Sequence, residues 1–434
     1  MRILHTSDWH LGQKLCNLER FAEHDFFLEH LLQLIREQQV DCLLHAGDIF
    51  DTANPPNQAL RQYFNFLRRL HEETNCRQAI LVGGNHDSVL TLQAPQRLLE
   101  VLQVHVVGGL PADPAEQLIP IQGADGEEAL VCAVPFLRDA DLRNILPGES
   151  YEARQQRLRE GIATHYQKLA QLAAPWKQRG QFVCATGHLF VATGQSSDSE
   201  KEIHIGLQDR FPVADFPDFF DYLALGHLHR PQRVAGMNHV RYSGSPLPLS
   251  FSERQDSKSV LLLEVEKGTL QQVRELPLPI PRRLLRLQGT VEEVCEKLQA
   301  LEEPAGDFED WVEARVQLEA PEPDLIASYR RSPKPSLDSI CSRCARSTHA
   351  RQVDWRNKRL SRIWKTCSPE KSFKSCACLM NWQRTKPSVS SALLESCWSA
   401  MRRQRANENS APAPSECARL AQPVDDSIRS ISTL

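Results

Sequence analysis

The sequence predicts an α/β fold for residues 1 to about 280, and two observations support this class. Short apolar runs have the length of buried strands, namely RILHTSD, VDCLLHAGDIFD and QAILVGGNHD. Segments with helix-like apolar spacing alternate with them, namely FAEHDFFLEHLLQLIREQQ, QALRQYFNFLRRLHEE and QAPQRLLEVLQ. This β-α-β-α-β order implies a largely parallel sheet with helices packed on its faces.

The next part of the chain predicts more strands and then a second, smaller unit. Four further apolar runs are ALVCAVPF, QFVCATGHLFV, DYLALGHLH and VLLLEVEK. Few clear helices separate the last of these, so we predict mixed or antiparallel pairing there. We predict a small α+β unit in residues 281–328, because RRLLRLQG, VEEVCEKLQALEE and WVEARVQLEA have the patterns of strand, helix and strand. The Pro-rich ELPLPIPRR ahead of it predicts a hinge.

Residues 329–434 differ in character from the rest of the chain. They contain 19 Ser and 7 Cys without sustained helical or alternating periodicity. We predict an atypical segment, such as an out-of-frame translation product, that is largely disordered. The alternative is a zinc site built from Cys341, Cys344, His349, Cys376 and Cys378, which lack the paired spacing of a zinc finger or ribbon.

The composition is that of a soluble globular protein, with 41% hydrophobic and 24% charged residues in 434. The N-terminus has no basic region followed by an apolar one, and no apolar run approaches the roughly 18 residues that cross a bilayer. We therefore predict a cytoplasmic protein without a membrane association. The 13 Cys are odd in number, and those before residue 329 are scattered, which predicts reduced thiols.

Charge is distributed unevenly along the chain. Residues 329–434 carry 20 Lys+Arg and 8 Asp+Glu, a net charge of +12, which leaves −16 for residues 1–328. An acidic body argues against nucleic-acid binding by bulk charge alone, but not against phosphate recognition through bound metal ions or local basic residues. The basic residues nearest the motifs described next are candidates for such phosphate contacts. They are Lys14, Arg20, Arg61, Arg230 and Arg254.

Polar side chains recur where the predicted strands end. In chain order they are Asp8 and His10, Asp48 and Asp51, Asn85, His86 and Asp87, His188, and His227 and His229. Ligands of open α/β sheets collect at the carboxyl ends of the strands, so these five segments are expected to converge. Mixed carboxylate, amide and imidazole ligands suit Mn²⁺, Fe²⁺ or Zn²⁺.

The number of these side chains favours two metal ions over one. One ion would take Asp8, His10 and His229, and the other would take Asn85, His188 and His227. A carboxylate such as Asp48 bridges two ions about 3.5–4 Å apart, the arrangement that clamps an in-line displacement at phosphorus. Each residue alone has a structural interpretation, such as a helix N-cap or a hydrogen-bonded core histidine. Five such segments in order along one α/β chain favour a shared metal site.

The order D-x-H, G-D, G-N-H-D, G-H and G-H-x-H resembles the calcineurin-like metallophosphoesterase superfamily. Longer stretches, MRILHTSDWHLGQ, HAGDIFDTANPPNQA, ILVGGNHDS and YSGSPLPLSFSE, are similar to the SbcD family, the nuclease subunits of bacterial SbcCD exonucleases. The resemblance covers residues 1 to about 328. It implies a four-layer α/β/β/α sandwich with mixed sheets for residues 1–280, and the start of a DNA-capping domain in residues 281–328.

The resemblance also implies roles for the site residues. Asp48 would be the bridging ligand, Asn85 a metal ligand and His86 the catalytic histidine facing the scissile phosphate. Asp51 stands where archaeal relatives have a second active-site histidine, and an aspartate there would orient His86. Asp87 would orient the loop or a ring nitrogen, and a purely structural role is the alternative.

The function implied by the resemblance is hydrolysis of DNA phosphodiester bonds with Mn²⁺ in DNA repair, recombination and replication. It includes an ATP-dependent double-strand exonuclease and a single-strand or hairpin endonuclease. The sequence has no G-x-x-x-x-G-K-[ST] loop, so ATP would be used by a partner, the SMC-like coiled-coil ATPase SbcC. The nuclease subunits would form a homodimer within a heterotetramer.

Two other functions compete with this one. A phosphatase or nucleotide phosphodiesterase could use the same fold, but Ser/Thr phosphatases of the superfamily carry an Arg soon after the G-D aspartate, and GDIFDTANPP has none. A metal-bound scaffold that cleaves nothing is the other alternative. Every proposed ligand and His86 are present, so the atypical segment after residue 328 is the only feature that supports that alternative.

Overall fold

A computed structural model describes residues 1–142, 150–192, 194–201, 211–301, 307–316, 342–344 and 380–381. The chain divides into two compact units, Met1–Gln383 and Arg384–Leu434, and all of the described residues belong to the first. Within the described residues no helix is both long enough and apolar enough to cross a membrane. Cys42, Cys76, Cys132 and Cys184 are buried thiols outside any disulfide, as predicted.

The helices and strands follow the predicted order from the N-terminus. The helices are α1 Phe21–Glu37, α2 Asn57–Glu73, α3 Val89–Gln93, α4 Gln96–Val101, α5 Asp139–Leu142, α6 Tyr151–Gln178, α7 Asp198–Lys201 and α8 Val291–Gln299. The strands are β1 Arg2–Thr6, β2 Lys14–Leu15, β3 Leu18–Glu19, β4 Cys42–Ala46, β5 Gln78–Val82, β6 Val104–Val107, β7 Leu118–Gln122, β8 Glu128–Cys132, β9 Phe182–His188, β10 Tyr222–Gly226, β11 Gln232–Arg233, β12 Val240–Tyr242, β13 Ser259–Glu266, β14 Thr269–Pro277, β15 Leu284–Gly289, β16 Trp311–Val316, β17 Ser342–Cys344 and β18 Met380–Asn381.

Two six-stranded mixed sheets form the main body. The first has the order β14-β13-β1-β4-β5-β6. Strands β1, β4, β5 and β6 are parallel to one another, β13 is antiparallel to β1, and β14 is antiparallel to β13. The second has the order β11-β12-β10-β9-β8-β7, with antiparallel strands only at its two edges. The predicted mixed pairing of the second half is confirmed.

Side chains on alternate faces of the strands divide the apolar interior into three cores. Leu4 of β1 packs with residues of α1 and α2, whereas its neighbour Ile3 packs between the two sheets. The outer face of the second sheet packs against α6 through residues such as Tyr166 and Val183. Helix, sheet, sheet and helix therefore form four layers, which confirms the predicted fold class.

The sequence patterns did not predict α6, although it is the longest helix of the described residues at 28 residues. Its sequence is rich in polar residues, contains Gly161 and has Pro175 inside the helix. These features weaken the apolar periodicity and the propensity on which a sequence-based prediction depends. Packing against the second sheet stabilises the helix nonetheless.

The smaller unit has the predicted strand, helix and strand, as β15, α8 and β16. The two strands are parallel, and a capping box formed by Thr290 and Glu293 begins α8. Leu284 and Trp311 of this unit pack with Leu15 and Phe251 of the main body. The rest of the predicted 281–328 unit, from residue 317, lies outside the described residues.

The segment predicted to be atypical, 329–434, is described only at β17 and β18, whose backbones pair with β16. The predictions of disorder and of an out-of-frame origin fall on residues outside the described ones. So do Cys341, His349, Cys376 and Cys378 of the alternative zinc site, and Cys344 is described only as part of β17.

Candidate metal centre

The two sheets place their polar loops at one common edge. Asp8 follows β1, Asp48 follows β4 and Asn85 follows β5, all in the first sheet. His188 ends β9 and His227 follows β10, which are neighbouring parallel strands of the second sheet. Since carboxyl ends of parallel strands share an edge, strands from two sheets build one site.

The backbone at this edge is held in an unusual conformation. Four of the predicted ligands have positive φ angles, with 53° at Asp8, 46° at His10, 57° at Asp48 and 98° at His227. A residue with a side chain adopts this region at an energetic cost, and such residues are concentrated at functional sites. The loops therefore hold these four residues in backbone conformations that an unconstrained chain would avoid.

Two glycines allow the loops to approach one another closely. A Cβ atom on Gly84 would lie 2.1 Å from Oδ1 of Asp48. A Cβ atom on Gly226 would lie 2.0 Å from the carbonyl oxygen of Ala46. Any side chain at either position would push apart the loops that carry the ligands.

The part of the chain that the structure describes contains three groups of possible metal ligands. Within each group, the ligand atoms all lie within 4.8 Å of one another. The first group is Asp8, His10 and His229, the second is Asp8, Asp48 and His188, and the third is His10, Asp48 and His86. Asp8, His10 and Asp48 each belong to two of the three groups, so each of them stands between two positions at which a cation would fit. The bridging role of Asp48 stays a prediction, and this placement is compatible with it.

Asn85 joins two histidines of the second predicted ligand set. Its Oδ1 lies 3.0 Å from Nε2 of His188 and 3.1 Å from Nδ1 of His227. The Nδ1–H of His188 donates to the carbonyl oxygen of Ala46 at 2.9 Å, so Nε2 is the ring atom that offers a lone pair when the ring is neutral. The predicted trio is therefore brought together around Oδ1 of Asn85.

His86 is held by its ring and by its backbone. Its Nδ1–H donates to the backbone carbonyl oxygen of Asp51 at 2.7 Å, and its backbone N–H donates to Oδ1 of Asp48 at 2.9 Å. Nε2 of His86 is buried and has no hydrogen-bond partner among the residues that the structure describes. This ring atom is therefore uncommitted within the described part of the chain.

The Asp51 carboxylate contacts a different histidine from the one that the sequence suggested, whereas Asp87 holds the loop, which is one of the roles suggested for it. The Asp51 carboxylate lies 3.3 Å from Nδ1 of His10, and only its backbone carbonyl contacts His86. The Asp87 carboxylate accepts hydrogen bonds from the backbone N–H groups of Gly84, Ile49 and Phe50 at 2.9–3.1 Å. Asp87 thus ties the loop after β5 to the loop after β4, and it contacts no ring nitrogen among these bonds.

The aspartates set the protonation of the histidines around them. Burial opposes protonation of His10, but the neighbouring Asp51, Asp48 and Asp8 raise its pKa to about 9. Burial likewise opposes protonation of His188, and Asp48 and Asp8 raise its pKa to about 9. The pKa of Asp48 lies well below its ordinary value, because His188, His86 and His10 outweigh the effect of burial. The cluster therefore attracts positive charge, whether from protons or from metal ions.

Metal binding is expected to release protons from this cluster. At pH 7.5 His10 and His188 hold protons in the metal-free protein because their pKa values are raised to about 9, and a ligating imidazole must be neutral. Titration calorimetry with Mn²⁺ in buffers of different ionisation enthalpy should show release of roughly two protons at pH 7.5 and fewer above pH 9. Release that does not change with pH would contradict these protonation states.

The candidate phosphate-binding residues fall into different classes. Arg20 is buried, its Nε donates to Oε2 of Glu23 at 2.6 Å and its Nη1 donates to the carbonyl oxygen of Pro248 at 2.7 Å, so it is a structural residue. Lys14 and Arg230 pair with Glu19 and Asp256, and the guanidinium of Arg254 donates to the carbonyl oxygen of Phe251. Arg61 lies exposed on α2.

Comparison with known proteins assigns the chain to a family. Residues 1–231 match the calcineurin-like phosphoesterase family, and residues 280–363 match the family described as the type 5 capsule protein repressor C-terminal domain. The SbcD subunit of the nuclease SbcCD from Escherichia coli (strain K12) is 39% identical over 320 residues, which are 73% of this chain and 78% of that protein. The chain belongs to the SbcD family of calcineurin-like phosphoesterases.

Other SbcD relatives cover similar lengths. The SbcD protein of Rhodobacter capsulatus is 40% identical over 300 residues, 67% of this chain and 73% of the relative. That of Bacillus subtilis (strain 168) is 32% identical over 269 residues, 62% of this chain and 67% of the relative. The second family match extends to residue 363, beyond the boundary at 328 that the sequence patterns suggested.

The sequence patterns missed three residues near His229. Ser199, Glu253 and Lys258 form a buried or half-buried set of hydrogen bonds around it. Glu253 lies within the stretch YSGSPLPLSFSE, which contributed to the resemblance but was given no role. No sequence pattern marks the three residues; the structure identifies them, because a glutamate and a lysine are rarely buried unless they are paired.

Proposed function

We propose that the chain is the nuclease subunit of a DNA-processing complex and that it hydrolyses phosphodiester bonds with two divalent metal ions. The observation that carries the proposal is the convergence of five loops from two sheets, which brings Asp8, Asp48 and His188 within 4.8 Å of one another and beside His86. Oxygen and nitrogen donors in this mixture suit Mn²⁺, which we propose as the metal.

The residues would divide the work as follows. Asp8, His10 and His229 would hold one ion, and Asn85, His188 and His227 the other, with Asp48 shared. When bound, the metal ions would supply hydroxide from water at neutral pH and would polarise the phosphate. His86 exchanges a proton or hydrogen bond with a phosphate or leaving-group oxygen through Nε2, because its Nδ1 is engaged by the Asp51 carbonyl. Asp51 positions His10, and Asp87 fixes the loop that carries His86.

We propose that ATP-dependent double-strand exonuclease and hairpin endonuclease activities arise with an SMC-like coiled-coil ATPase, SbcC by family analogy. The relatives are named as a subunit of the nuclease SbcCD, and this chain has no phosphate-binding G-x-x-x-x-G-K-[ST] loop of its own. DNA repair, recombination and replication are the processes in which such a complex would act, in the cytoplasm. Residues 1–280 would form the nuclease domain, and the unit that begins at residue 281 would cap the DNA.

Cleavage of a labelled DNA hairpin and a linear duplex by the purified chain tests the proposal. Reactions would contain Mn²⁺, Mg²⁺ or EDTA, with and without the ATPase and ATP. We expect Mn²⁺-dependent hairpin cleavage that EDTA abolishes, and duplex degradation that requires the ATPase. Hydrolysis of nucleotide monoesters with no cleavage of either DNA would favour the phosphatase alternative instead.

We also propose that two copies of the chain pair through α3 and α4. These helices follow the His86 loop and expose Leu90 at 80%, Leu98 at 69% and Val101 at 73% of their surface. An apolar patch of this kind marks an interaction surface. Val101→Glu is expected to reduce the mass measured by light scattering from dimer to monomer, whereas Leu172→Glu, on α6, leaves it unchanged. A dimer that survives Val101→Glu together with Leu98→Glu would rule out this surface.

A further inference from the structure

A buried chain of hydrogen bonds leads from His229 away from the metal centre. Nδ1 of His229 lies 2.8 Å from Oγ of Ser199, and Oγ of Ser199 lies 2.7 Å from Oε1 of Glu253. The other oxygen of Glu253, Oε2, accepts a hydrogen bond from Nζ of Lys258 at 2.7 Å. Neither the Glu253 nor the Lys258 side chain has exposed surface.

The direction of these hydrogen bonds follows from the chemistry of the groups. Lys258 holds Glu253 as a carboxylate, which can only accept. The Ser199 hydroxyl forms its strongest hydrogen bond as a donor when the acceptor is this carboxylate, because a charged acceptor binds a donor more strongly than a neutral one. The Ser199 oxygen then accepts from His229, so His229 carries its proton on Nδ1. Its Nε2 lone pair is left for the group that it shares with Asp8 and His10.

The same network also fixes the backbone of His229. Nζ of Lys258 donates to the carbonyl oxygen of His229 at 2.9 Å and to Oγ of Ser245 at 3.0 Å. The backbone N–H of Ser245 donates to the same carbonyl oxygen at 3.1 Å. Glu253 further accepts from the backbone N–H of Leu249 at 3.2 Å, which ties the turn after β12 into the network. The ring and the main chain of one histidine are thus held by one buried ion pair.

We propose that Ser199, Glu253 and Lys258 are positioning residues that set the tautomer and orientation of His229, and thereby the affinity of one metal site. The proposal rests on the metal centre described under the proposed function. Removal of a residue that hydrogen-bonds a metal-ligating histidine typically weakens metal affinity by about 10–100-fold. Since the network contacts His229 and none of Asn85, His188 and His227 in the bonds above, the effect should fall on one ion of the two.

Titration of the full chain with Mn²⁺, followed by the electron paramagnetic resonance signal of free Mn²⁺, tests this. Ser199→Ala is expected to weaken one binding step by about 10-fold and to leave the other unchanged. Ser199→Thr keeps the hydroxyl and should restore the weakened step. Ser252→Ala is the control, because the Ser252 hydroxyl accepts from the backbone N–H of Asp198 and lies 2.6 Å from Oγ of Ser250, but it makes no direct contact with His229 or Glu253 in the bonds described.

The outcomes separate this inference from the proposed function. If Ser199→Ala binds both Mn²⁺ ions as tightly as the protein without substitutions, the inference is wrong. It is also wrong if Ser252→Ala loses as much Mn²⁺ affinity as Ser199→Ala. If the protein without substitutions binds fewer than two Mn²⁺ ions, the proposed function itself is wrong. Glu253→Gln leaves the buried Lys258 without a counter-charge, so its folding is checked by circular dichroism. If it is folded, the same single step should weaken.

Discussion

Asp48→Asn is expected to lower DNA cleavage by about 10³-fold or more and to reduce the bound Mn²⁺ from two ions to at most one. Asp48 stands in two of the three groups of ligand atoms, as do Asp8 and His10, so its loss weakens more than one cation position. A metal pair contributes several kcal/mol to transition-state stabilisation, and about 1.4 kcal/mol corresponds to a tenfold rate change. Cleavage rates under single-turnover conditions, with metal content measured on the same samples, provide the check.

Asp41→Asn is the matched control for this substitution. Asp41 is also buried, but it precedes β4 at the opposite end of the strand and accepts hydrogen bonds from the backbone N–H groups of Arg2 and Ala124. Its replacement should affect folding stability without a selective effect on metal content. Full metal content and full cleavage in Asp48→Asn would contradict a bridging role.

His86→Ala is expected to lower cleavage by about 10²–10⁴-fold, the usual contribution of a general acid or base, while metal content stays unchanged. The contact that His86 makes with Asp48 comes from its backbone N–H at 2.9 Å, and alanine retains that donor. The substitution therefore removes Nε2 from the site and leaves the support of Asp48 in place. Cleavage rates together with Mn²⁺ stoichiometry separate the two effects.

His239→Ala serves as the control for His86→Ala. His239 is exposed and precedes β12, outside the groups of ligand atoms. Its replacement should change neither quantity. A His86→Ala protein that loses metal in proportion to activity would make His86 a ligand, which its place in the group with His10 and Asp48 also permits geometrically.

The residues that meet at the candidate metal centre could be predicted from the sequence, because in each motif polar residues follow directly on a predicted strand. Asp48 and Asn85, for example, follow closely on apolar runs that became β4 and β5. The order of the motifs and the parallel arrangement of the strands then place them on one edge. Local patterns of this kind are read without knowledge of tertiary contacts.

Features that depend on contacts between distant parts of the chain were beyond such patterns. Ser199 and Glu253 are 54 residues apart, and no local spacing brings them together around His229. Arg20 is a candidate for a phosphate contact by its place beside the motifs, but it is buried and bonded to Glu23 and Pro248. The pairing of β13 with β1, which joins the end of the main body to its beginning, is equally non-local.

The most direct test of a two-metal DNA nuclease is single-turnover cleavage of a labelled DNA hairpin during stepwise addition of Mn²⁺, with bound metal counted on the same sample. We expect cleavage to rise with occupation of the second ion and to be lost in His86→Ala at full occupancy. Cleavage at full rate with one ion or none would contradict the two-metal mechanism. Two bound ions without hydrolysis of any DNA, in the presence of the ATPase and ATP, would contradict a DNA nuclease.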